Sequence, residues 1–348
     1  MKKCMTMLAL SLASSCAIAQ EDEPLRISGS VDTYFKYDFS KYRDEDGMSN
    51  IPTYFGSEQN SVSLGMINVV LSKKVGKASF VGDLSFGPRG QNAASISGSI
   101  PNGPDNNSFN IQNLYVSYEF TDKFSMTAGY MGTFVGYEII SPTGNFNYST
   151  SYLFSNGPFQ NAGIKANYKF SDKVGLMVGL FNDWNVYQDF NGVSDFGAQL
   201  SLSPVEGWDA YINFLTGYPS GTIIDLTTSY QISEAFKLGL NAADRTNSGD
   251  DTGGYFGAAL YPQYAFSDAF SLGLRGEYYK TKDFMEEEVN VEGTSVLGLT
   301  LSANVKAGPL TVIPEFRLDN NSEKVFMNSS GDPTKNAAQF LIAAVYAF

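Results

Sequence analysis

The sequence predicts an all-β chain: a transmembrane antiparallel β-barrel of about 16 strands, with short periplasmic turns and long extracellular loops. Three observations carry this expectation. Apolar and polar residues alternate over stretches of about ten residues, the length and period of a tilted strand crossing a bilayer. Aromatic residues make up 14% of the chain, with 26 Phe and 21 Tyr, and they bracket a recurring turn. No run approaches the roughly 18 consecutive apolar residues of a helical span, so strands must do any crossing. A secreted β-sandwich or propeller shares the composition but not the common depth of the rings.

The chain opens with MKKCMTMLALSLASSCAIAQ, which reads as an export signal over residues 1–19. Lys2 and Lys3 give a basic start, Met5 to Ala13 an apolar core, and Ala17-Ile18-Ala19 a small-residue cleavage site. Residues 20–348 then form the barrel domain. A lipoprotein signal through Cys16 is the alternative, although Ala13 stands where a larger aliphatic residue is usual. Cleavage removes both cysteines, and the chain has no histidine. Disulfide scaffolds, Cys/His metal sites and histidine-dependent catalysis are thereby excluded, and no cofactor or metal is expected. Losing Lys2 and Lys3 takes the formal charge from −13 to −15, which argues against a nucleic-acid partner.

The strands follow in order. Arg26–Phe39 is the first. Short turns then fall near Lys73–Lys77, Thr121–Lys123, Ser171–Lys173, Pro204–Gly207, Ser233–Ala235, Ser267–Ala269 and Lys306–Pro309. Several share one phrase (EFTDKF, KFSDKV, YQISEAF, YAFSDAF), in which Ser or Thr and an acid supply local turn hydrogen bonds. Seven turns join fourteen strands, and the first and last segments bring the number to sixteen. Between them lie Ser40–Asn60, Pro88–Ser108, Thr133–Pro158, Asn185–Val193, the short Tyr218–Gly221, Thr246–Gly253, Lys282–Glu292 and Asn320–Asn336. Pro262 and Pro314 fall in mid-strand, where a missing ladder donor predicts a bulge or a shifted boundary. The chain closes on FLIAAVYAF, with Phe340, Ile342, Ala344, Tyr346 and Phe348 on one face. Phe348 joins Phe120, Phe124, Phe170, Trp208, Phe236, Phe266 and Phe270 in one girdle at the short-turn end.

With the apolar face in lipid, the other face lines the interior. It carries Asp32, Lys36, Asp38, Asp83, Glu119, Lys165, Lys169, Asp209, Asp225, Arg275, Glu277, Glu315 and Arg317. Mixed charge keeps such a wall hydrated and sets a field across it, the means by which pores tune solute preference. Any single one of these is also accounted for as an ordinary polar face with no individual role. The loop Thr133–Pro158 stands out for its rings, Phe134, Tyr137, Phe146, Tyr148, Tyr152 and Phe154. Inward folding would bury them and narrow the lumen, with Glu138 and Asn145 facing solute. Extending strands above the membrane or packing on a neighbouring barrel are the alternatives. Acid clusters at Asp44-Glu45-Asp46, Asp250-Asp251 and Glu286-Glu287-Glu288 lack metal-loop spacing and read as solvated loops.

The alternating terminal residues Phe340, Ile342, Tyr346 and Phe348 resemble the C-terminal strand signal read by the barrel assembly machinery. The start RISGSVDTYFKYDF, the stretch FVGYEIISPTGNFNYSTSYLFSNGPFQNAGIKANYKFSDK and LFNDWN at 180 resemble the OmpL-like β-barrel porins of Bacteroidota-type bacteria. The resemblance covers the whole mature chain and is most specific in the third loop. It implies an integral outer-membrane location and passive diffusion of small hydrophilic solutes and ions. The third loop lacks the Pro-Glu-Phe-Gly-Gly motif of trimeric porins, which leaves a homo-oligomer open. A substrate-specific uptake channel and a plugged binding or structural barrel are the competing readings. An enzyme would have to work with carboxylates alone, and no two acids can be placed together from the sequence.

Overall fold

The computed structural model describes residues 23–45, 47–51, 53, 55–89, 109–190, 192–249 and 252–348. The expected export signal, most of the second loop, and Asp46, Asp250 and Asp251 lie outside them. The chain folds as one closed antiparallel barrel of sixteen strands. The first eight are β1 (Arg26–Asp38), β2 (Ser61–Val75), β3 (Ala78–Phe86), β4 (Phe109–Thr121), β5 (Phe124–Gly132), β6 (Gln160–Ser171), β7 (Val174–Phe181) and β8 (Asp195–Leu202). The ring continues through β9 (Trp208–Gly217), β10 (Gly221–Gln231), β11 (Phe236–Thr246), β12 (Gly254–Ser267) and β13 (Phe270–Thr281). Two small loop ribbons interrupt the numbering: β14 (Phe284–Glu286) with β15 (Val289–Val291), and β18 (Phe326–Met327) with β19 (Pro333–Thr334). The last barrel strands are β16 (Ser295–Ala307), β17 (Leu310–Asn321) and β20 (Asn336–Ala347). β20 pairs back onto β1, so the barrel has no open edge and no unpaired ladder faces lipid.

Alternation sorts the two faces. On β16, Leu297, Leu299 and Leu301 are exposed while Val296, Thr300 and Ser302 are buried. On β4, Leu114, Val116, Tyr118 and Phe120 face outwards. Rings gather beside the short turns as the sequence predicts: Phe120 packs on Phe124 with centroids 5.4 Å apart, Phe266 on Phe270 at 5.5 Å, and Trp208 on Tyr230 at 5.6 Å. These turns also share one wiring. The carbonyls of Lys77, Lys123, Lys173, Gly207, Ala235, Ala269 and Pro309 each accept an N–H from the next hairpin or from β20. Gly29 and Phe348 exchange both backbone bonds at 3.0 Å, so the terminal residue closes the periplasmic rim.

The bulges lie elsewhere than the prolines suggest. Pro262 pairs with Leu238 and Pro314 with Ile342, and the register is the same on either side of each. Each missing donor removes a short patch of pairing on one side of its strand without an extra residue. The register shifts instead at Val31/Thr33 and Asp83/Leu84, and at Glu119/Thr121, Lys169/Ser171 and Ala265/Ser267, the last three inside copies of the Phe-Ser/Thr-Asp phrase. The extra residue in each of those three is the girdle aromatic, Phe120, Phe170 or Phe266, and a bulge there adds twist where the chain must reverse.

Candidate functional site

The third loop, from Thr133 to Phe159, lies inside the barrel. It leaves β5 and returns to β6, and its contacts reach β13 and β16, half-way round the ring of sixteen. Local turns shape it first. A 3-10 turn spans Pro142–Gly144, and the Asn145 amide bridges the N–H and C=O of Ile139 at 2.9 and 2.6 Å. A helix spans Tyr152–Asn156, with the Ser151 side chain accepting from the Phe154 N–H at 3.0 Å.

The loop has too few regular hydrogen bonds of its own, and the barrel wall supplies the rest. Carboxylates take its N–H groups. Glu315 accepts from Tyr148 at 2.8 Å, Glu277 from Tyr152 and Leu153 at 3.0 and 2.8 Å, and Asp225 from Gly136 at 3.0 Å. Guanidinium groups take its carbonyls. Arg275 donates to Ser149 and Thr150 at 2.6 and 3.2 Å, and Arg317 to Thr150 at 2.8 Å. Arg275 also pairs with the loop's own Glu138 at 2.8 Å, where both side chains are at most 4% exposed. Arg317 is held in turn by Asp319 through two bonds of 2.9 Å. Buried charges are costly unless compensated: Arg275 and Arg317 are ion-paired, and Asp225, Glu277 and Glu315 are compensated by the hydrogen bonds they accept.

The loop's rings seat in matching recesses. Tyr137 stacks on Tyr261 with centroids 4.4 Å apart. Glycines on the wall give the rings room: a Cβ at Gly197, Gly239 or Gly273 would fall within 2.6 Å of Phe134, Tyr137 or Phe146. Tyr148 packs with Tyr34, Leu341, Ala343 and Val345, which explains why the inward face of the final strand is apolar. The Tyr148 hydroxyl donates to Asp32, and that of Tyr152 to Asp319 at 2.6 Å. Burial, ahead of the neighbouring carboxylates, pushes both hydroxyls well above the usual tyrosine range, so they remain protonated donors.

Several residues expected to meet solute do other work. Glu138, Arg275, Glu277, Glu315 and Arg317 are buried under the loop and anchor it rather than facing water. Asn145 spends its amide on the loop backbone. Glu119 pairs with Lys74, and Lys169 with Asp172, each at 2.7 Å, at the solvent-exposed periplasmic rim. The opposite interior face differs. On β3, β4 and β6, Asp83, Asn113, Tyr115, Lys165 and Asn167 stay half-exposed. Asp83 accepts from Asn68 and Asn113 at 3.2 Å, whereas Lys165 pairs with no carboxylate among the described residues.

Arg89 was not visible as a site residue. Its buried guanidinium lies 4.5 Å from the Phe55 ring and 4.7 Å from Tyr148, and it donates to the carbonyls of Ile140 and Tyr148. It therefore ties the first and third loops together, though nothing in the surrounding sequence marks it. Asn185 likewise receives the N–H groups of Phe159 and Gln160, at 2.8 and 3.0 Å, where the loop rejoins the wall. Among the described residues no group of three or more His, Cys, Asp or Glu could hold a metal ion.

Known structures share this architecture. The channel DcaP of Acinetobacter baumannii superposes with a TM-score of 0.60 at 11% identity, covering 93% of this chain and 97% of that one. An anion-selective porin from Comamonas acidovorans gives 0.59 at 12%, covering 93% and 99%. OmpT of Vibrio cholerae, in its trimer form, gives 0.56 at 13%, again covering 93% and 99%. At these identities the likeness is one of fold. A comparison with curated proteins finds no match. The profile of one family fits residues 24–348. The chain thus belongs to the family described as "Putative beta-barrel porin-2, OmpL-like" and is an integral outer-membrane porin.

Proposed function

We propose that the barrel conducts small hydrophilic solutes and ions by passive diffusion, through a passage left between the third loop and the β3–β6 wall. One observation carries this reading. The loop is bound by buried charges to the wall of β10–β17, while the facing wall keeps Asp83, Asn113, Lys165 and Asn167 half-exposed. The loop residues Phe134, Tyr137, Glu138, Asn145, Phe146 and Tyr148 set the width by filling the far side of the lumen. Arg275, Glu277, Glu315 and Arg317 hold them there. Asp83 and Lys165 carry the field that a passing solute meets, and no bond is made or broken.

Phe340, Ile342, Tyr346 and Phe348 face lipid and supply the strand that the assembly machinery recognises. A homo-oligomer is consistent with this outer surface. Conductance of refolded protein in planar bilayers tests the proposal. Discrete open steps, enlarged when part of Thr133–Pro158 is deleted, support it. A folded barrel without steps would recast the same loop as a plug, which is the reading favoured by the additional burial of Ile51 and Phe55 from the first loop.

A further inference from the structure

The lipid-facing surface carries a feature that conduction does not use. A groove of about 550 Å³ crosses the outside of β2–β6. Its floor follows one row of paired residues, Lys73–Phe80–Val116–Ala128–Ile164. The next row down, Val75–Ala78–Tyr118–Met126, forms its lower flank, with Phe120 below it. The groove is concave because Ala78 and Ala128 are small, and open space lies above Gly82 on the same face.

Lys73 is the unusual member. Register and alternation place Lys74 inside, bound to Glu119, and Lys73 outside. Among the described strand residues, Lys73 is the one charged side chain pointing to lipid in the periplasmic half of the barrel. Asp244 and Lys280, the other two that point outwards, lie near the extracellular strand ends. No carboxylate of the described residues pairs with Lys73. A lysine there extends its ammonium towards the headgroups and needs an anion at that level.

We infer that this groove holds one glycerophospholipid of the periplasmic leaflet, its phosphate on Lys73 and one acyl chain along Phe80, Val116, Ala128 and Ile164. The dimensions agree. The row begins two residues from the first periplasmic turn and climbs obliquely across four strand spacings of about 4.8 Å, or about 19 Å in all. At the usual tilt of about 45° this rises about 13 Å, close to the roughly 15 Å hydrocarbon depth of one leaflet. The charge agrees too, since the apolar strip ends in the unpaired Lys73 at phosphate depth, while Lys77 in the turn below is engaged by the Phe120 carbonyl at 3.0 Å.

Native mass spectrometry of the intact protein, titrated with phosphatidylglycerol and with diacylglycerol of the same chains, tests the site. One phosphatidylglycerol should be retained per barrel, about tenfold more tightly than diacylglycerol. Lys73→Gln should abolish that difference, Lys73→Arg should preserve it, and Ala128→Leu should weaken both lipids by filling the groove. All three variants should conduct as the parent does, which separates this proposal from the reading of the lumen. Equal retention by the parent and Lys73→Gln would overturn it. So would lipid binding indifferent to Ala128→Leu in a protein whose oligomers that substitution breaks, because the groove would then be an interface between copies.

Discussion

Replacing Arg275 with alanine tests the anchoring of the loop most directly. Arg275 is buried and bonds to Glu138, Ser149, Thr150 and Thr300. Its loss leaves Glu138 buried with, among the described residues, the Ser151 N–H at 2.7 Å as its remaining hydrogen-bond partner. Breaking one side of a buried ion pair costs about 3–5 kcal/mol. At about 1.4 kcal/mol per decade, docking of the loop would weaken by about two to three and a half orders of magnitude. The barrel ladder does not depend on this contact, so the penalty should fall on the loop and not on the fold. Single-channel recording should show larger, noisier steps, and limited proteolysis should cut between Thr133 and Phe159, where the parent resists. Removing both charges, with Arg275→Met and Glu138→Gln, should restore much of the parent behaviour. Unchanged conductance and unchanged protease resistance in Arg275→Ala would refute the assignment of Arg275 as an anchor.

Other expectations follow from the same geometry. Glu277→Gln removes charge from the acceptor of the Tyr152 and Leu153 N–H groups and should expose the short helix to protease at a cost of about 1–3 kcal/mol. Lys165→Glu should move the reversal potential in a salt gradient towards cations while leaving thermal stability unchanged; an unmoved potential would remove Lys165 from the conducting path. Leu301→Arg, on the lipid face, should destabilise the barrel by about 2–4 kcal/mol in urea titrations of vesicle-inserted protein. Deleting Phe348 severs both backbone bonds to Gly29, and refolding yield followed by heat-modifiable gel mobility should fall.

Strand order, turn positions and the two faces of the sheet were legible because a period of two and a crossing length of about ten residues leave marks in the sequence. The wall residues Arg275, Glu277, Glu315 and Arg317 could be assigned to the interior by parity alone. Their task could not, because it depends on how far a loop reaches across the lumen, and their partners are mostly backbone groups common to every residue. Arg89 and Asn185 escaped notice for the same reason. Glu119 and Lys169 show a different shortfall: parity gives the face but not the depth, and both sit at the rim. The prolines misled because a missing donor need not shift register when one side of the strand alone loses its bonds. Even Glu286-Glu287-Glu288 hid a local structure, since it turns the β14–β15 ribbon with Glu287 and Glu288 at φ of 46° and 69°.

The way the wall grips the third loop has a consequence for how such a channel can change. Glu315, Glu277, Arg275 and Arg317 recognise the path of the main chain between Tyr148 and Leu153. At Thr150 the gripped atom is a carbonyl that any residue would present. At such positions the clamp and the side chain it carries are specified separately. A residue such as Thr150 can be rewritten while its main chain stays gripped, whereas Glu138, Tyr148, Tyr152 and the seated rings belong to the frame itself.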